Sequence, residues 1–150
     1  MPALPLALLL ALSIGATPLS AQAATPPKSA EQTEPLQEWR GQYGGLTDAG
    51  AQVVKNATRW SHLWRSLGKT EPSLDFTTHF AVVAFAGEHP TGGFTIEFLE
   101  PVKQGEDLLI RWRVQPPPKD AYVTQAFAQP WKVKAFPLPK GKIKVEMVDE

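Results

Sequence analysis

The chain has 150 residues, with fifteen basic side chains set against fifteen acidic ones and no cysteine. Formal neutrality argues against a nucleic-acid binder, which calls for a basic excess. The missing cysteine excludes a disulfide framework, thiol chemistry and a lipid-modified cysteine anchor.

In chain order, the first feature is an apolar run from Leu4 to Ile14, broken by Thr17-Pro18-Leu19-Ser20 and followed by Ala21-Gln22-Ala23. Small residues at that spacing are what a signal peptidase reads, so residues 1–23 are predicted to be a signal peptide cleaved after Ala23. The run is shorter than the roughly 18 to 20 residues a membrane span needs, so no stable membrane anchor is expected after cleavage. The mature protein is then exported, either periplasmic or secreted. Residues 24–35 form a Pro/Ala/Thr/Gln-rich leader. About 115 residues remain, enough for a single domain with its own core.

Short strands are expected at Gln37 to Tyr43 and Ala51 to Lys55, separated by turn-forming Gly44-Gly45 and Asp48-Ala49-Gly50. From Thr58 to Leu67, Trp60, Leu63, Trp64 and Leu67 recur at the spacing of a buried helical face. Asn56 or Thr58 can cap that helix, and Gly68 can end it. Asp75 ahead of Phe76 reads as a turn cap. Phe80 to Ala86 is an apolar run short enough to be a strand buried on both faces. Gly87-Glu88-His89-Pro90-Thr91-Gly92-Gly93 follows as a rigid loop, in which Pro90 fixes φ and the glycines permit positive φ. In the next segment Phe94, Ile96 and Phe98 alternate with Thr95 and Glu97.

Leu108 to Val114 reads as a half-exposed strand, and a hairpin through Val102 to Glu106 would bring Glu97 near Arg111. Pro116-Pro117-Pro118-Lys119-Asp120 should be a loop, extended at its start. Strands are then expected at Ala121 to Phe127 and Trp131 to Phe136, broken at Pro130. Ile143 to Val148 is an edge strand or tail within residues 137–150. One helix against six to eight short strands predicts an α+β fold: a single domain rich in antiparallel β-sheet, with one amphipathic helix packed on the sheet.

At this point the residues carry a resemblance. Trp39, Val53-Val54, the Trp60 and Trp64 helix, Asp75-Phe76, the Gly87-to-Phe94 loop and Val123-Thr124-Gln125-Ala126 ahead of Pro130 resemble the protease complex subunit PrcB family, specifically its C-terminal domain, over residues 36–136. The resemblance implies an exported, non-catalytic accessory protein that contacts a secreted subtilisin-like protease and assists its assembly, maturation or stability. The lack of a cysteine at the signal junction departs from lipid-anchored members.

The candidate contact surface is Glu88, His89, Pro90, Thr91, Gly92, Gly93 and Phe94, with Lys119 to Gln125, Thr124 and Gln125 foremost, and Gln129, Pro130 and Trp131 as neighbours. No enzyme is expected, and neither cofactor nor metal. His62, His79 and His89 belong to no recognisable catalytic or metal motif. His79 and His89 flank an extended strand, on the order of 30 Å apart. Glu88 and His89 are adjacent, and neighbours on a strand end point apart. Two alternatives stand beside the accessory reading. Pro90 to Phe94 and Gln129-Pro130-Trp131 loosely resemble two wedge loops of chagasin-type protease inhibitors, and rigid proline loops lose little entropy on binding. Five tryptophans could instead line a small-ligand pocket.

Overall fold

The computed structural model describes residues 37–149, so the expected signal peptide and leader lie outside the described residues. Eight strands and one helix follow in order: β1 (Glu38–Gly41), β2 (Ala49–Val54), α1 (Ala57–Ser66), β3 (His79–Ala86), β4 (Thr95–Phe98), β5 (Val102–Gln104), β6 (Asp107–Gln115), β7 (Trp131–Pro137) and β8 (Ile143–Met147).

The organising element is β3, whose residues from Phe80 to Ala86 are all buried. Side chains alternate across a strand, so a continuous apolar run needs a cover on each side. Ala81, Val83 and Phe85 join a core with Trp60, Leu63, Trp64 and Leu67 of the helical segment. Phe80, Val82, Ala84 and Ala86 join a second core with Ile96, Phe98, Ile110 and Trp112. Three layers result: helix, first sheet, second sheet.

The first sheet has the order β1-β7-β3-β2, and every pair in it is antiparallel. In the second, β6 is central. Trp112 lies opposite both Phe98 and Met147, and Leu109 opposite both Val102 and Lys144. Hence β4 and β5 share one edge of β6 and β8 takes the other. Lys132 ties the layers, donating to the Ile96 carbonyl at 3.0 Å and pairing with Glu38 at 2.9 Å.

The expected sheet-rich domain with one helix on a sheet is present, with three corrections. The strands divide between two sheets, and β8 runs parallel to β6. Glu97 pairs with Arg113, not Arg111, at 2.7 Å. The reversal falls at Gly105-Glu106, with Gly105 at φ 66°, and the register slips by one residue between the Val102–Leu109 and Phe98–Trp112 pairs, which together carry the Glu97 partner two residues along β6. Finally, 121–127 is not a strand. Its alternation has no neighbouring strand to pack against, and Tyr122 and Phe127 stand in solvent.

The helix follows its sequence cues closely. Asn56 caps it, its side chain accepting the Arg59 N–H at 2.8 Å, and Gly68 terminates it at φ 66°. At the start of β3, Asp75 accepts from both the N–H and the hydroxyl of Thr77, at 2.9 and 2.6 Å. These bonds to the ionised form hold its carboxyl below the ordinary value, the hydroxyl contributing most.

Candidate functional site

Three loops meet beyond one end of the first sheet: residues 42–48, 87–94 and 116–130. Backbone bonds lace them together. The Gly92 N–H donates to the Thr124 carbonyl at 2.9 Å, and His89 and Ala128 exchange bonds of 2.8 and 2.9 Å. The Gln129 N–H donates to Gln42, and the Gln129 carbonyl accepts from Gly45. Gln42 spans the centre, its amide donating to the Phe94 carbonyl at 2.8 Å and accepting from the Gly93 N–H at 3.2 Å.

Glycine is required at Gly93 for two reasons. Its φ is 91°, and a Cβ there would lie 2.6 Å from Val123 Cγ1 and 2.9 Å from Pro117 Cβ. Gly92 is buried, but a Cβ would meet Thr124 at an ordinary 3.4 Å. The 87–94 loop is therefore seated on the 116–130 loop, and its glycines serve that approach.

The charged pair in the loop separates. The Glu88 carboxylate accepts from the Gln129 amide at 2.9 Å. The His89 ring stacks on Phe94 at 3.9 Å between centroids, with Nε2 3.0 Å from the Ala86 carbonyl. Each has its own structural partner, and no acid/base pair forms. Elsewhere His79 Nδ1 sits 2.7 Å from the Thr78 hydroxyl. Among the described residues, no group of three or more His, Cys, Asp or Glu side chains is arranged to hold a metal ion.

Of the sequence-predicted contact residues, Glu88, Pro90, Gly93, Thr124 and Gln125 are exposed, and His89, Thr91, Phe94 and Gln129 are half-buried. Gly92, Pro130 and Trp131 are buried, so none of the three is offered at the surface. Trp131 packs in the helix-side core, its indole N–H bonded to the Tyr43 carbonyl at 2.9 Å. The second wedge of the inhibitor reading is thus occupied by the fold itself. The pocket reading also loses its basis. Trp39, Trp60, Trp64 and Trp131 pack together beside α1, and Trp112 fills the inter-sheet core.

The same loops expose Tyr122 fully and Phe127 at 67%, with Tyr43 and Leu46 about half exposed. Tyr122 lies within the 119–125 stretch expected beside the contact loop, whereas Phe127 is the residue sequence reasoning missed, because it assigned that segment to a strand. Its available cue was the bracketing by Pro116-Pro117-Pro118 and Pro130. Gln42 gave none.

Residues 80–137 match the family model described as PrcB C-terminal, so the resemblance to that family is shown over these residues. The matched stretch runs from the first buried residue of β3 to the end of β7, and includes two of the three laced loops. No curated protein and no solved structure matches the chain.

Proposed function

Since residues 80–137 match the PrcB C-terminal family, we propose that this is an exported, non-catalytic accessory subunit that works by protein contact. Its partner is a secreted protease of the subtilisin-like class, whose assembly, maturation or stability it assists. The family name supports association with a protease complex. The carrying observation is the exposure of Tyr122 and Phe127, with Tyr43 half exposed, on loops fixed by backbone bonds.

Exposed aromatic groups on pre-ordered loops are efficient contact residues, because they bring large area at little entropic cost. The 116–118 prolines limit the freedom of the loop that carries Tyr122.

The test is recovery of a partner by the tagged full chain from the exported fraction of its own cells. Co-purification of a protease whose maturation falls when the chain is removed supports the proposal. Unchanged recovery by a Tyr122→Ala, Phe127→Ala double variant assigns the contact elsewhere, and a stoichiometric loss of protease activity on titration assigns inhibition instead.

A further inference from the structure

On the far side of the first sheet from β1, strand β2 ends the order, and among the described residues it pairs only with β3. The hydrogen bonds leave a specific set of groups at its free edge. The Ala86 N–H donates to Pro130 and the Ala135 N–H to Gln37, so even-numbered residues of β3 face β7 and odd-numbered ones face β2. Gly50, Gln52 and Val54, opposite Phe85, Val83 and Ala81, then bond inward. Ala49, Ala51 and Val53 direct their N–H and C=O groups outward.

Edges of this kind are normally protected by charge, proline or shortness. β1 carries Glu38 and Arg40, and β8 carries Lys144 and Glu146. The β2 sequence, Ala-Gly-Ala-Gln-Val-Val, has none of these guards over six residues. Beside it opens a groove of about 310 Å³ between β2 and α1, lined by Leu46, Val54 and Leu63 together with Arg59 and His62. No carboxylate lines it, α1 contains no acidic residue, and Arg59 makes no ion pair among the described residues.

We infer that β2 and this groove bind an extended segment of a partner protein in which apolar and acidic residues alternate. The segment adds a fifth strand to the first sheet, as in β-strand augmentation. Its apolar side chains continue the row of Ala51 and Val53, which pack on the inter-sheet core. Its acidic side chains fall on the opposite face, beside Gln52, where Arg59 stands. A second copy of the chain is the poorer occupant, because pairing β2 with β2 sets Arg59 and His62 of both copies on the same groove. The inference rests on the edge and groove alone, independent of the loop-end contact proposed above.

The test titrates the labelled full chain with acetyl-Val-Glu-Val-Glu-Val-Thr-amide and with its Lys-for-Glu twin, following backbone amide resonances. The expected result is movement of the Ala49, Ala51 and Val53 amides, with the acidic peptide binding about threefold to fivefold tighter than the basic one. Ala51→Pro removes an outward N–H without touching the bonds to β3 and should abolish binding, with its melting temperature measured alongside. Arg59→Glu, on the exposed helix face, should reverse the peptide preference even if the proline variant fails to fold. Absence of amide movement, or equal binding of the two peptides, overturns the inference. Sedimentation showing a dimer that Ala51→Pro dissolves overturns it in favour of self-pairing. Loss of peptide binding in the Tyr122→Ala, Phe127→Ala variant would place the peptide at the loop end and overturn the assignment to β2, whereas unchanged binding there supports it.

Discussion

Around α1, Trp60 meets Trp39 at 5.5 Å and Trp64 at 5.3 Å, all edge to face, and Trp64 meets Trp131 at 5.8 Å. At the loop end Tyr122 and Phe127 stand in solvent. The first group converts aromatic area into stability, since offset and edge-to-face pairs add to the gain from burial. The second group leaves that area in water and adds nothing to the core. What separates them is backbone context. Helical spacing and strand alternation align the tryptophans on the same core, whereas flanking prolines keep Tyr122 and Phe127 off any sheet.

The largest test of that contrast is Trp60→Ala. Trp60 is almost fully buried and its indole N–H bonds to the Pro72 carbonyl at 2.7 Å, so truncation should cost about 3–5 kcal/mol in denaturant unfolding. Next comes Gly93→Val, which forces a branched residue to φ 91° against Val123 and Pro117. It should cost about 1–3 kcal/mol and displace the Thr124 and Phe94 resonances, while Gly92→Ala costs less. Tyr122→Ala with Phe127→Ala should leave stability within about 0.5 kcal/mol while partner recovery falls. A large drop in melting temperature in that variant would make the loop aromatics part of the core and end the contrast.

The smallest effect concerns Asp75. Its folded carboxyl lies below the ordinary 3.8, so its stabilising contribution is complete above that value and is lost as the pH falls through the lowered one. Asp75→Asn should therefore flatten unfolding stability slightly in the acid range below 3.8 and leave the dependence at higher pH unchanged. Urea midpoints of the two proteins across that range supply the check.

Elements whose causes are local were legible in the sequence. The 3, 4 and 7 spacing from Trp60 to Leu67 gave the helix, and the unbroken apolar run gave β3 with both faces buried. What depended on distant partners was not. Local alternation does not state which strand lies alongside, so the division into two sheets and the parallel direction of β8 stayed hidden. The Glu97 partner hung on the position of a tight turn at Gly105. At the loop end, the conformational demand on Gly93 was readable, but Pro130 and Trp131 were not both punctuation and surface. Trp131 alternates with Val133 and Ala135 on the core face, and that pattern decides its place.

The pairing of β1 with β7 bears on the order in which the domain forms. Trp39 finds Val133, and Leu108 finds Ile143, so the first described strand and the last each complete a sheet begun elsewhere. Closing contacts of such long sequence separation loses chain entropy before any burial compensates, and topologies of this kind fold slowly. During synthesis, residues 38–41 have no strand partner until residues 131–134 have been made. The nascent chain therefore spends most of its elongation unable to adopt its final architecture.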